Sequence, residues 1–277
     1  MMRQQHPLFQ QYPLDGQVTI GGETLSTPYH IYDGSILFIG GTANARAASD
    51  LLAGEQLMPL LDSDGKALMA VWVCDFTEAN LGQHHELQIS IFASFSPVPP
   101  VTAHPFAIYR ALILNPAAMM ICHGLWNNTE RVVRYNREHL LLDARLSRRQ
   151  IDRTAASWRF QVEDAERGQR VAEGELTVPG RQPPQALMAM AGHLGLRGMM
   201  QSMRAPFIHV PVVNTRAAGS AANRIAHTYT KADKQVIRTF GPGDRLTIHD
   251  PRYAALRFEP AFVQHNDGVR FVYLRPE

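Results

Sequence analysis

Residues 84–91 read HHELQISI and alternate at period two: His84, Glu86, Gln88 and Ser90 fall on one side, His85, Leu87, Ile89 and Ile91 on the other. Successive side chains of a strand point to opposite faces, so this segment is a strand between two unlike environments. The Leu/Ile side packs. The other, loaded with titratable and amide groups, faces water or an enclosed hollow.

Similar segments recur along the chain. GQVTI and LSTPYHIY flank Gly21-Gly22, and residues 36–39 run into Gly40-Gly41. Strands are expected at 68–74, 86–95, 109–114 and 119–123, with a loop at Pro97, Pro99 and Pro100, which no strand ladder accommodates. WRFQVEDAERGQRVAEGELTV reads as a hairpin turning near Arg167-Gly168. After Phe207 come FIHVPVV, RIAHTYT, QVIRTF, DRLTIH, AALRFEP and VRFVYLRP, separated by turn residues.

Helical signals are few. Asn44 is placed to cap ARAASDLLAG, which stops at Gly54, and residues 185–203 carry a Leu/Met stripe interrupted by Gly192, Gly195 and Gly198. That Met-rich helix suits adaptable core packing or a surface for another subunit. The pattern predicts an α+β chain, predominantly antiparallel β, folded as one barrel or sandwich domain over residues 1–277 with one or two flanking helices. An extended arm is expected at about residues 1–20.

The formal charge of +2 and scattered arginines argue against a nucleic-acid partner. The only basic run, Arg145, Arg148, Arg149 and Arg153, reads as a solvated loop or a rim for an anionic substrate. No apolar run spans a bilayer and the N-terminus lacks a signal core, so the expectation is a soluble cytoplasmic protein without a membrane partner. Cys74 and Cys122 lie in apolar strands without CxxC spacing and read as reduced core thiols.

Leu81, Gly82 and Glu86 in LGQHHE, after Asp75, resemble the Leu-Gly-x-x-x-Glu segment of acetoacetate decarboxylases and their relatives. The resemblance extends over LLAGEQLMPLLDSDGKALMAVWV before it and MMICHGLWNNTERVVRYNREHLLLDARL after it. It implies an acetoacetate-decarboxylase-like β-barrel in which the matching glutamate faces the substrate cavity. Relatives commonly assemble, so a homo-oligomer is implied.

Those enzymes use a lysine pair whose first amine, held in an apolar pocket beside another cation, forms a Schiff base. By position Glu130 and Arg131 stand where the two lysines are expected, and neither side chain forms an imine. The family's further arginine and glutamate fall on Gly34-Ser35 and Ala70-Val71. The chain has three lysines, Lys66, Lys231 and Lys234, against 24 arginines, all three in polar, turn-like settings.

The expected activity is therefore acid/base chemistry on a keto or enol acid, or a related carbonyl compound, without a cofactor. Lyase-type reactions such as decarboxylation, retro-aldol cleavage or dehydration, or a cyclisation, fit better than hydrolysis. Glu86, His84 and His123 are the candidate catalytic residues; Trp126, Asn127, Asn128, Arg131 and Gln88 are the candidate substrate-binding residues.

Each has a blander reading. Glu86 is a solvated carboxylate, Asn128 or Thr129 caps a short helix, Trp126 plugs the core, and Glu130 and Arg131 open a solvated helix. His84, Glu86 and His123 supply a donor set for zinc or ferrous iron, but the spacing is not a metal signature, and no metal is assigned. The alternative function is a small-ligand-binding protein on the same fold that has lost catalysis.

Overall fold

The computed structural model describes residues 6–204, 207–213, 224–230 and 232–274; of 202–230 the backbone alone is described. The chain opens with a one-turn helix α1 (Pro7–Gln11), capped where the His6 imidazole accepts the Leu8 N–H at 3.2 Å. The hairpin β1 (Gly16–Ile20) and β2 (Glu23–Thr27) follows, so the described part of the first twenty residues holds a helical turn and then an extended strand.

Then comes β3 (Tyr29–Ala43), which runs straight through Gly40-Gly41 instead of ending there. Neighbouring backbone and rings need those glycines: a Cβ on Gly41 would sit 2.1 Å from the Glu259 carbonyl oxygen, and one on Gly40 would sit 2.2 Å from the Phe262 ring. Two glycines that read as a stop are a close approach of strands.

Asn44 caps α2 (Ala45–Leu52) as its sequence predicts, its Oδ1 accepting the Ala47 N–H at 2.9 Å. Next are the short β4 (Met58–Pro59), then β5 (Ala67–Ala79) and β6 (His84–Ser94). Residues 109–114, expected as a strand, lie instead in the helix α3 (Ala107–Leu114). Its buried residues Ala107, Ile108 and Ala111 are spaced for one helical face, and an unbroken apolar run of this length does not reveal its own period.

β7 (Met119–Asn127) leads into α4 (Glu130–Arg134) and a π-helical turn, Tyr135–His139. β8 (Ala144–Arg153), β9 (Ser157–Asp164) and β10 (Gln169–Thr177) follow, the last two forming the expected hairpin. The helix α5 (Pro184–Arg204) bends at Gly195, whose φ of 65° lies in the left-handed region.

The remaining strands are β11 (Phe207–Val213), β12 (Arg224–Thr230), β13 (Lys234–Thr239), β14 (Arg245–Ile248), β15 (Glu259–Asp267) and β16 (Phe271–Leu274). AALRFEP is not the strand its composition suggests: Pro251–Leu256 is a 3₁₀ helix, Arg257 turns with φ of 47°, and only Glu259 and Pro260 enter β15. The polar stretch after it, which includes Gln264, His265 and Asn266, was not legible as a strand yet pairs with β3 and β13.

Hydrogen-bonded pairing runs β7, β11, β12, β16, β3, β5, β6 and back to β7, so the sheet curls round and closes. Nearly every contact in it is antiparallel; β7 pairs in parallel with β11 and β8. β8 carries the sheet outward into β9, β10 and β14. Two apolar layers result.

The inner layer includes Phe38, Cys74, Phe92, Met120, Leu125, Phe271 and Tyr273, with Phe106, Ile108 and Ala111 from the α3 region packed into it. The outer layer, between the curled sheet and β9–β10, includes Val71, Leu87, Ile89, Trp126, Trp158 and Tyr253. β5 and β6 are sandwiched, which is why residues 67–71 are buried without a break. Cys74 and Cys122 are buried free thiols. No described helix is long and apolar enough to cross a membrane.

Candidate functional site

β6 belongs to both layers, and its parity decides what each receives. Leu87, Ile89 and Ile91 enter the outer layer, while Glu86, Gln88 and Ser90 turn inward and are all buried. The polar face thus looks into a cavity of about 160 Å³, lined among others by Phe38, Trp72, Cys74, Glu86, Gln88 and Tyr273.

Glu86 is 2% exposed and is held by two donors: Asn127 Nδ2 reaches Oε2 at 3.0 Å and the Tyr273 hydroxyl reaches Oε1 at 3.1 Å. Asn127 lies directly opposite Glu86 in the β6–β7 register. Its own carbonyl accepts from Asn136 Nδ2 at 3.0 Å, which fixes the amide so that its NH₂ meets the carboxyl. Asn136 comes from the π-helical turn, a local widening of the kind often found at functional sites.

Burial pushes the Glu86 carboxyl up to about 7, with the Asn127 and Tyr273 hydrogen bonds pulling the other way. A carboxyl poised there holds its proton for part of the time at neutral pH. It can both give and take one.

His84 shares the inward face but does not touch Glu86. Its Nδ1 donates to the Gly82 carbonyl at 2.9 Å, so in the neutral ring Nε2 accepts from the Tyr29 hydroxyl at 2.6 Å. Tyr29 in turn stacks on Tyr273, with ring centroids 5.0 Å apart. Burial lowers the His84 pKa to about 4, keeping the ring neutral. It braces the tyrosine pair behind the carboxyl.

Gln88 lies on the cavity wall, its Nε2 donating to Ser90 Oγ at 2.6 Å. The other candidates are not brought to the cavity. His123 lies on the outer face of β7, its Nδ1 3.1 Å from the Tyr253 hydroxyl. Trp126 is fully buried in the outer layer, with Nε1 donating to Asp164 at 3.3 Å and the Arg252 guanidinium 5.3 Å from the ring centroid.

Asn128 is exposed and accepts the His85 N–H at 2.6 Å. Arg131 is exposed on α4 and pairs with Glu23 at 2.7 Å. The physical reason is one of register: Asn127 faces Glu86, so its chain neighbours point elsewhere.

His84, Glu86 and His123 therefore do not converge, and among the described residues no cluster of three His, Cys, Asp or Glu side chains is placed to hold a metal. Nor are the arginines of β8 a loop or a rim. Arg145 pairs with Asp143 at 3.1 Å, Arg153 with Asp75 at 3.1 Å, and Arg149 donates to the Cys74 carbonyl at 3.3 Å.

Lys66 is exposed and paired with Glu259, and Lys234 is exposed on β13. Lys231 lies outside the described residues. Tyr273, Tyr29 and Asn136 join the site without a clear signal in the sequence. Tyr273 was partly visible, since Phe271 and Tyr273 alternate on one face of VRFVYLRP.

This architecture is the acetoacetate-decarboxylase-like fold. Among solved structures, the chain is similar to an acetoacetate decarboxylase with a TM-score of 0.54 at 14% identity, covering 90% of this chain and 88% of that one. It is similar to the acetoacetate decarboxylase of Legionella pneumophila with a TM-score of 0.55 at 10% identity, covering 91% and 86%. The enduracididine biosynthesis enzyme MppR, complexed with pyruvate, follows with 0.51 at 15% identity, covering 90% and 88%. Compared as a sequence, the chain matches no protein-family model and no curated protein.

Proposed function

We propose that this protein is an enzyme acting on a small carbonyl compound, with Glu86 as the group that moves the proton. One observation carries the reading: a fully buried carboxyl, tuned to about 7, stands on the wall of an apolar cavity with two fixed donors holding its plane. Proton transfer next to a carbonyl, as in dehydration, retro-aldol cleavage or a decarboxylase-like elimination, suits a carboxyl of that pKa. Asn127, Tyr273 and the His84–Tyr29 brace keep it in place, while Gln88 offers an amide to the bound compound.

The route we propose has no imine. The residue that β7 presents to Glu86 is the carboxamide Asn127, and the described residues lining the cavity include no lysine. The likeness to MppR with pyruvate supports a carbonyl compound as ligand. Self-association and a cytoplasmic setting belong to the same proposal, the former supported by the exposed Leu187, Met188, Leu196 and Met200 of α5.

The test is turnover of a panel of ketones, keto acids and β-hydroxy ketones by the wild type and Glu86→Gln, with borohydride added to trap any imine. Product formed by the wild type and reduced at least a hundredfold in the variant, with no reduced adduct on the protein, is the expected result. A borohydride-dependent adduct on a lysine, Lys231 included, would overturn the imine-free route. Binding without product would favour a ligand carrier, a reading that the largely apolar lining also supports.

A further inference from the structure

The strand registers set most of the β3, β5, β6 and β15 side of the cavity wall into two neighbouring rows, each ending on β7 just beyond the lining. Asn266, Ile36, Cys74, Glu86 and Asn127 lie side by side across β15, β3, β5, β6 and β7, and Gln264, Phe38, Trp72, Gln88 and Leu125 do the same. Glu86 and Asn266 therefore stand three strands apart in one row. At roughly 4.8 Å per strand that is about 14 Å along the curved sheet, and less across the hollow.

Between them the floor is apolar. Phe38 and Trp72 stack with centroids 4.1 Å apart, and Phe76, Phe271 and Met120 also line the space. At the far end polarity returns: the Tyr109 hydroxyl donates to Gln264 Oε1, and Gln264 Nε2 donates to Asn266 Oδ1 at 2.7 Å. All three line the cavity, and among the described residues the chain of donors runs toward Asn266 and ends at its NH₂. This end is made of neutral groups.

We infer that Tyr109, Gln264 and Asn266 form a second subsite, which takes the uncharged hydrogen-bonding tail of an elongated, largely apolar or aromatic ketone whose carbonyl lies at Glu86. The inference rests on the function proposed above for Glu86 and adds the class of compound. The stacked Phe38–Trp72 floor suits a planar or extended hydrocarbon spacer. A carboxylate tail would enter against neutral amides with no cation among the described lining residues, giving up hydration for little.

The experiment is a binding titration, followed by calorimetry or ligand-observed NMR, with 4-(4-hydroxyphenyl)butan-2-one, 4-phenylbutan-2-one, butan-2-one and acetoacetate. The hydroxyphenyl ketone should bind tightest, and both aryl ketones should bind at least tenfold more tightly than butan-2-one or acetoacetate. Asn266→Ala and the near-isosteric Gln264→Met should each weaken the hydroxyphenyl ketone about threefold to tenfold while leaving 4-phenylbutan-2-one unchanged, as expected for one neutral hydrogen bond.

Tighter binding of acetoacetate than of the aryl ketones would overturn the inference, as would equal losses for the two aryl ketones in both variants. These outcomes are read from binding alone. An inactive but normally binding Glu86→Gln, or a fully active one, bears on the proposed chemistry and leaves the tail subsite to be judged separately.

Discussion

Glu86→Gln should yield a more stable protein, with a gain that appears only as the pH rises. The folded-state pKa of about 7 lies above the ordinary 4.5, so the fold prefers the protonated carboxyl. Below about pH 4.5 both folded and unfolded chains are protonated, and the wild type carries no electrostatic penalty. Between 4.5 and 7 the unfolded chain loses its proton while the folded one keeps it, so wild-type stability falls; above 7 the loss is complete.

At about 1.4 kcal/mol per pH unit the penalty is on the order of 3 kcal/mol. Glutamine does not titrate, and it keeps both hydrogen bonds by accepting from Asn127 and donating to the Tyr273 oxygen. Urea denaturation of the two proteins at pH 5, 6, 7 and 8 should show the difference widening by roughly that amount. A difference independent of pH would mean that Glu86 is ionised at its ordinary pKa and is not the poised group described.

Trp126→Ala should cost about 3 to 5 kcal/mol, the range for deleting a large buried aromatic. The indole is fully buried between β7 and the outer sheet, fills the space near Tyr253, and gives its N–H to Asp164. Removing it leaves a void and deprives a buried carboxylate of a donor. The urea midpoint should drop sharply while ketone affinity per folded molecule stays unchanged, because the ring lies on the far side of β7 from the cavity. A mild loss of stability with weakened ligand binding would place Trp126 on the cavity wall instead.

These two residues show what could be read from the chain alone. That Glu86 and Gln88 share one face follows from alternation, that this face looks inward was implied only by the family resemblance, and Asn127 is a candidate because it falls in the segment resembling the family's reactive one. Trp126, Asn128 and His123 came from that same segment and are not at the cavity. The missing information was the register of β7 against β6, and it includes a shift between Ile89 and Ser90 that no local pattern announces.

Tyr273 lies 187 positions from the carboxyl it holds, a contact only the closed sheet creates. The amides of β15 escaped notice because a strand that lines a cavity on one side does not look like a core strand. The helix α3 hides its period for the opposite reason, being apolar enough to suit a strand as well.

A side chain balanced between two charge states also keeps a record of its surroundings. An apolar compound that fills the cavity beside Glu86 makes the anion harder to sustain, so the protein should draw a proton from solution as it fills. In weakly buffered solution near pH 7 that uptake is visible to a simple indicator dye. The molecule thus carries its own label-free reporter, with which a library of unknown compounds can be screened before any reaction has been found.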